Sequence, residues 1–157
     1  MTPSSRSSRA DAAVTSLPRT IGRVLLGLVL LGAGIGHLTV AREEFVAQVP
    51  RWVPVPVPDD VVVLGSGVVE IVLGAALVVL PRWRVALGWL AAAFFVAVFP
   101  GNVSQYLTRT DAFGLDTDRA RAVRLLFQPL LVLWALWSTG AWRAWRRSRR
   151  DQSRRPA

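Results

Sequence analysis

The sequence predicts an all-α protein, an integral membrane bundle of four transmembrane helices with both termini cytoplasmic. Three observations carry this. Four stretches are continuously apolar, contain no arginine or aspartate, and are long enough to cross a bilayer; a hydrocarbon core of ~30 Å needs about 20 helical residues. The charged residues, 18% of the 157, are confined to blocks between those stretches. The runs show neither the alternation of a barrel strand nor the polar face of a soluble helix.

In chain order, a polar arm, 1–19, is rich in serine and alanine and is predicted to be disordered. A four-helix unit, 20–142, follows, with spans at about 21–41, 61–81, 85–108 and 125–142. The first span has basic residues ahead of it, as a signal peptide would. Its apolar run exceeds the ~7–15 residues of a signal and no A-x-A site follows, so it reads as a retained helix. The loop after it carries Pro50, Pro54, Pro56 and Pro58, a pattern that favours an extended polyproline-like path along the outer membrane surface. The "PRWR" link between the second and third spans is short enough to make them antiparallel neighbours. A basic tail, 143–157, closes the chain and is predicted to be disordered beyond about Arg147.

Orientation follows from the arginines. All nineteen basic residues are arginine. With the N-terminus inside, thirteen lie on the inner side and six on the outer, the bias of the positive-inside rule. The outer loops hold Glu43, Glu44, Asp59, Asp60, Asp111, Asp116 and Asp118. Trp52, Trp83, Trp142 and Trp145 fall at span ends, where indoles favour the headgroup zone. The expected setting is therefore a membrane crossed several times. The net charge of +9 reads as a topology anchor and a contact for anionic lipids at the tail rather than as a nucleic-acid surface.

There is no cysteine, which excludes disulfides, thiolate metal sites and iron–sulfur clusters held by this chain. With a single histidine, no metal site is expected. The candidate site is a polar layer inside the spans: His37, Glu70, Asn102, Gln105 and Gln128. At ~1.5 Å per helical residue, Glu70 lies about 14 Å from the start of its span and the others are shallower. All five fall in the outer half. A charge at that depth is costly, so Glu70 is expected to be neutral or partnered, with His37 as the leading partner. Gly67, Glu70 and Gly74 share one helix face, and Gly27 and Gly34 a similar one with His37; these four glycines are the expected packing surface. Gly32–Gly36 is a further G-x-x-x-G pair, weak by itself. Pro100 removes a helix hydrogen bond near the polar layer, so freed carbonyls can join it. Such a layer can bind a ligand, handle a proton, or only hold helices together by hydrogen bonds. A continuous transport path is not expected, because the inner halves of the spans are apolar.

The segments "GIGHL" (34–38), "FVAQVPRWVP" (45–54), "SGVVEIVLGAALVV" (66–79), "VAVFPGNVSQYL" (96–107) and "RLLFQPLLVLWALW" (124–137) together resemble the DoxX family of small bacterial membrane proteins. The resemblance covers about residues 20–142 and implies a four-helix bundle in a bacterial inner membrane. The family pattern has an aromatic residue after the histidine, where this chain has Leu38. Its motif positions here are His37, Pro50, Pro54, Glu70, Pro100, Asn102 and Gln128. Some relatives are linked to quinone-dependent oxidoreductase complexes. The resemblance therefore implies a quinone as candidate ligand and an oxidoreductase subunit as candidate partner. The chain shows no flavin, haem or metal motif, so no covalently bound cofactor is expected, and any enzyme activity is expected only as part of a membrane oxidoreductase complex. The resemblance implies no catalytic residue.

Overall fold

The computed structural model describes residues 16–51 and 57–153. Among them the chain is all-α: α1 (Leu17–Leu38), α2 (Arg42–Val46), α3 (Asp59–Val79), α4 (Arg84–Leu107), α5 (Asp118–Ser138) and α6 (Ala141–Gln152), with a single 3-10 turn at Pro81–Trp83. The four long helices α1, α3, α4 and α5 are each long and apolar enough to cross a membrane. Their ends follow local chemistry. Pro18 sits in the first turn of α1, where a missing N–H is harmless. Asp59 and Asp60 open α3 against its positive dipole end. Thr117 caps α5, its hydroxyl accepting from the Ala120 N–H at 3.2 Å. Gly140, at φ 76°, ends α5 and starts α6.

The long helices run up and down as two antiparallel pairs. α1 packs on α3 and α4 on α5; α1 with α5 and α3 with α4 make the lighter contacts that close the ring. The start of α1 lies against the end of α5, where Trp134 Nε1 donates to the Gly22 carbonyl at 2.9 Å. This is the termini end of the bundle; the opposite end carries α2 and the α4–α5 connection and is the loop end. Leu26, Leu30, Leu73, Leu77, Leu87, Ala91, Phe95, Ala135 and Leu136 fill the middle. The outside is apolar too: Leu28, Val72, Val96, Leu126 and Leu133 are all more than half exposed, as a lipid-facing surface requires.

The α1–α3 seam is as close as two helices can come. A Cβ built on Gly27 would stand 2.7 Å from the Gly74 carbonyl oxygen, and one on Gly34 would stand 2.6 Å from that of Gly67. The two glycines of each helix are seven residues apart, two helical turns, so both pairs fall in register along the antiparallel seam. Gly32 faces open space, so Gly32–Gly36 is not a packing motif here. At the termini end Arg23 reaches from α1 to α3 and gives hydrogen bonds to the Leu77 and Val78 carbonyls, satisfying the last turn of α3.

Three expectations change. α1 begins at Leu17, so the end of the N-terminal arm is already helical; residues 1–15 lie outside the described residues. The tail is helical past Arg147, and residues 154–157 lie outside the described residues. α6 continues to Gln152, with Trp142, Trp145 and Arg149 stacked along one face at 5.1 Å for each neighbouring pair. The first loop contains the short helix α2 instead of running extended throughout, and its stretch with Trp52, Pro54 and Pro56 lies outside the described residues.

Candidate functional site

At the loop end the two helix pairs diverge and leave a half-open cavity of about 410 Å³. Its walls are mostly apolar, among them Leu30, Val63, Phe95 and Leu131. Two polar groups interrupt them, one on each helix pair.

The first belongs to the α1–α3 pair. His37, one turn above Gly34, places Nδ1 2.6 Å from Glu70 Oε2. Both side chains are buried. The glycines make this approach possible, because a Cβ on Gly67 would lie 2.7 Å from the His37 Cβ. The same Nδ1 lies 3.0 Å from the Ala33 carbonyl. One ring nitrogen thus faces two oxygens. Glu70 Oε2 is close but off the hydrogen-bond direction, and it has no other partner. A hydrogen on Nδ1 can serve Ala33 or Glu70. Phe45 covers the imidazole, stacked at 3.4 Å between centroids and 22° between planes.

The second belongs to the α4–α5 pair and is a chain of amides. Gln128 Nε2 donates to the Phe95 carbonyl at 2.6 Å, and its Oε1 accepts from Asn102 Nδ2 at 2.8 Å. Asn102 Oδ1 accepts from Arg124 Nε at 3.1 Å, and Arg124 Nη2 donates to Gln48 Oε1 at 3.1 Å. Two prolines lie beside this chain. Pro100 is inside α4, where the carbonyl it fails to serve is that of Val96, and Pro129 is inside α5 directly after Gln128. Each removes one N–H from its ladder and leaves a carbonyl in need of a partner.

A strap closes the loop end. Phe113, on the α4–α5 connection, sets its ring edge-on to Phe45 at 4.6 Å and lies under the Arg124 guanidinium at 4.9 Å. Its backbone is in the left-handed region, φ 57°, which is strained by roughly 1 kcal/mol or more for such a side chain. The Glu44 carboxylate accepts from its N–H and helps hold it there. Arg42 pairs with Asp60, Nε to Oδ1 at 2.7 Å, tying α2 to the start of α3. That hydrogen bond holds the Arg42 guanidinium above its ordinary range.

Of the five residues expected in the layer, His37, Glu70, Asn102 and Gln128 line the cavity. Gln105 does not. It is buried behind α4 and donates to the Ala112 carbonyl at 3.2 Å and that of Thr110 at 3.4 Å, so it fastens the α4–α5 connection. Phe45, Gln48 and Arg124 join the site although nothing in the spans pointed to them. Among the described residues no group of histidine, aspartate and glutamate is placed to hold a metal ion.

Residues 26–139 match the model of a family described as a domain of unknown function, DUF8561. The chain belongs to the DUF8561 family. The match contains every residue lining the cavity and stops before α6. The cavity therefore lies within the matched region. No curated protein and no solved structure matches the chain.

Proposed function

We propose that this DUF8561 protein is a DoxX-like subunit or accessory of a quinone-linked membrane redox system, and that a quinone head group occupies the cavity. The observation that supports the reading is the placement of two separate polar groups on opposite walls of an apolar, half-open cavity of about 410 Å³. A quinone ring carries oxygens on opposite edges and an apolar tail, and it fits a site with few polar groups on apolar walls. His37 and Glu70 hold a hydrogen near one wall; Asn102, Gln128 and Arg124 offer donors at the other. The chain carries no flavin or haem motif, so electrons come from a partner subunit. The termini end, with α6 and its arginines, faces the cytoplasm of a bacterial cell and anionic lipid headgroups.

The test is purification in a neutral mild detergent, extraction of lipophilic small molecules, and titration of the emptied protein with a short-chain quinone. Wild type is expected to carry or bind quinone, and Glu70→Gln to bind it about tenfold more weakly, because the amide no longer orients the His37 ring that donates to the quinone oxygen. Absence of any quinone binding, together with purification free of any oxidoreductase, refutes the proposal.

A second reading has its own observation. The amide chain from Gln48 to the Phe95 carbonyl is already satisfied within the protein. A bundle needing only hydrogen-bonded glue would look like this on the α4–α5 side. On that reading the protein is a structural or assembly element, and Glu70→Gln changes bundle stability but not cellular function.

A further inference from the structure

We infer that the cavity selects a ligand whose head group carries a negatively charged oxygen, and that Arg124 receives that oxygen. The inference rests on the cavity being a ligand site and goes further by fixing the charge of what it binds.

Two loop-end arginines, Arg51 and Arg119, are exposed; the others fall into two classes. Arg42 pairs with Asp60, Arg109 with Asp118, and Arg121 with both Asp111 and Asp118. Each of these cations has a carboxylate, and none of the three lines the cavity. Arg124 does line it, and among the described residues no carboxylate lies within ion-pair distance of its guanidinium. Its three partners are the Asn102 amide oxygen, the Gln48 amide oxygen and the face of Phe113, all neutral. An arginine keeps its charge under all physiological conditions. A cation held against apolar walls without a counter-charge is destabilising unless something of opposite sign completes it.

The guanidinium is also positioned rather than loose. Gln48 holds it from the α2 side. Asn102 holds it from α4, and Asn102 is itself fixed through Gln128 to the Phe95 carbonyl. Those two amides use two of its five N–H groups, and the fork geometry of the remainder suits an oxygen anion. The acidic residue of the cavity lining, Glu70, faces His37 on the opposite helix pair. A head group with an anionic oxygen at Arg124 and a hydrogen-bonding oxygen toward His37 and Glu70 meets both walls. The rest of the molecule lies along Leu30, Val63, Phe95 and Leu131. Acidic hydroxyquinones and carboxylate amphiphiles share this chemistry.

Two matched probes test it on the full chain in a neutral detergent: an alkyl naphthoquinone bearing an acidic ring hydroxyl, ionised at neutral pH, and the same compound without the hydroxyl. The ionised probe is expected to bind at least about tenfold more tightly, the scale of one charge-assisted hydrogen bond. In Arg124→Gln the ratio of the two affinities is expected to fall to about one, whatever the variant costs the neutral probe. Equal affinity of wild type for the two probes, or a preference that survives in Arg124→Gln, overturns the inference and leaves the quinone reading standing. Thermal stabilisation of the wild-type protein by dodecanoate and by dodecanol is measured alongside. It decides the matter if Arg124→Gln does not fold, and also if neither naphthoquinone binds, in which case the quinone reading alone is lost. Stabilisation by the acid but not the alcohol supports the inference; equal effects, or none, overturn it.

Discussion

Between α1 and α3 the closest contacts are backbone to backbone, Gly27 to Gly74 and Gly34 to Gly67, with the His37–Glu70 pair set directly above. Between α4 and α5 near the cavity the contacts are side-chain amides, Asn102 to Gln128 and Gln128 to the Phe95 main-chain carbonyl. The first seam has no slack, since any side chain larger than hydrogen meets a main-chain atom. The second is built of rotatable groups at two proline-interrupted helices and can rearrange at modest cost. A bundle with one rigid seam and one adjustable seam can admit a molecule between them without coming apart. Adjustment to a ligand belongs on the α4–α5 side, where Arg124 and Gln48 also sit.

The comparison breaks most sharply at Gly74. Its added Cβ would stand 2.6 Å from the Gly27 carbonyl and 2.8 Å from the Leu31 nitrogen. Gly74→Leu is expected to lower bundle stability by about 3 kcal/mol or more, because two main chains must part. Reversible unfolding in mixed micelles measures it, and a loss under about 1 kcal/mol would show that this seam also yields. Next is the pair above the glycines. Glu70→Gln and His37→Ala are expected to couple by about 1 kcal/mol or more in a double-mutant cycle on the same assay, and additive effects would dissolve the pair.

The adjustable seam should respond less. Asn102→Leu and Gln128→Leu are each expected to lose about 1 kcal/mol, with the double variant losing less than their sum, since both act in one chain. A loss as large as that of Gly74→Leu would erase the distinction between the seams. Smallest of all is Gly32→Ala. Nothing stands within 4 Å of its added Cβ, so stability should stay within about 0.5 kcal/mol of wild type or rise slightly.

The helices themselves were legible because uninterrupted apolar runs bounded by arginine and aspartate leave little choice of architecture. Gly27, Gly34, Gly67 and Gly74 were legible for a similar reason, since helical spacing puts each pair on one face with His37 or Glu70. Arg124 was missed because a charged residue at the edge of an apolar run reads as the end of the span, whereas α5 begins six residues earlier at Asp118. Phe45 and Gln48 were missed because a loop near four prolines gives no periodicity from which to place a side chain. Gln105 was misplaced since depth alone cannot tell a cavity wall from the back of a helix; only the turn of Thr110 and Ala112 toward it decides that. Arginine density hid α6, although Trp142, Trp145 and Arg149 at intervals of three and four carry a helical signature.

Gly140 has a consequence for the whole molecule's posture. Its left-handed backbone, φ 76°, is the sole break between α5 and α6, and α6 touches α4 as well as α5. With a β-branched residue there, such as Gly140→Val, the left-handed turn becomes unfavourable and the two helices are driven toward one rod. The arginines would then stand away from the bundle like a mast. With glycine they are folded across its end like a foot, and one residue without a side chain decides which.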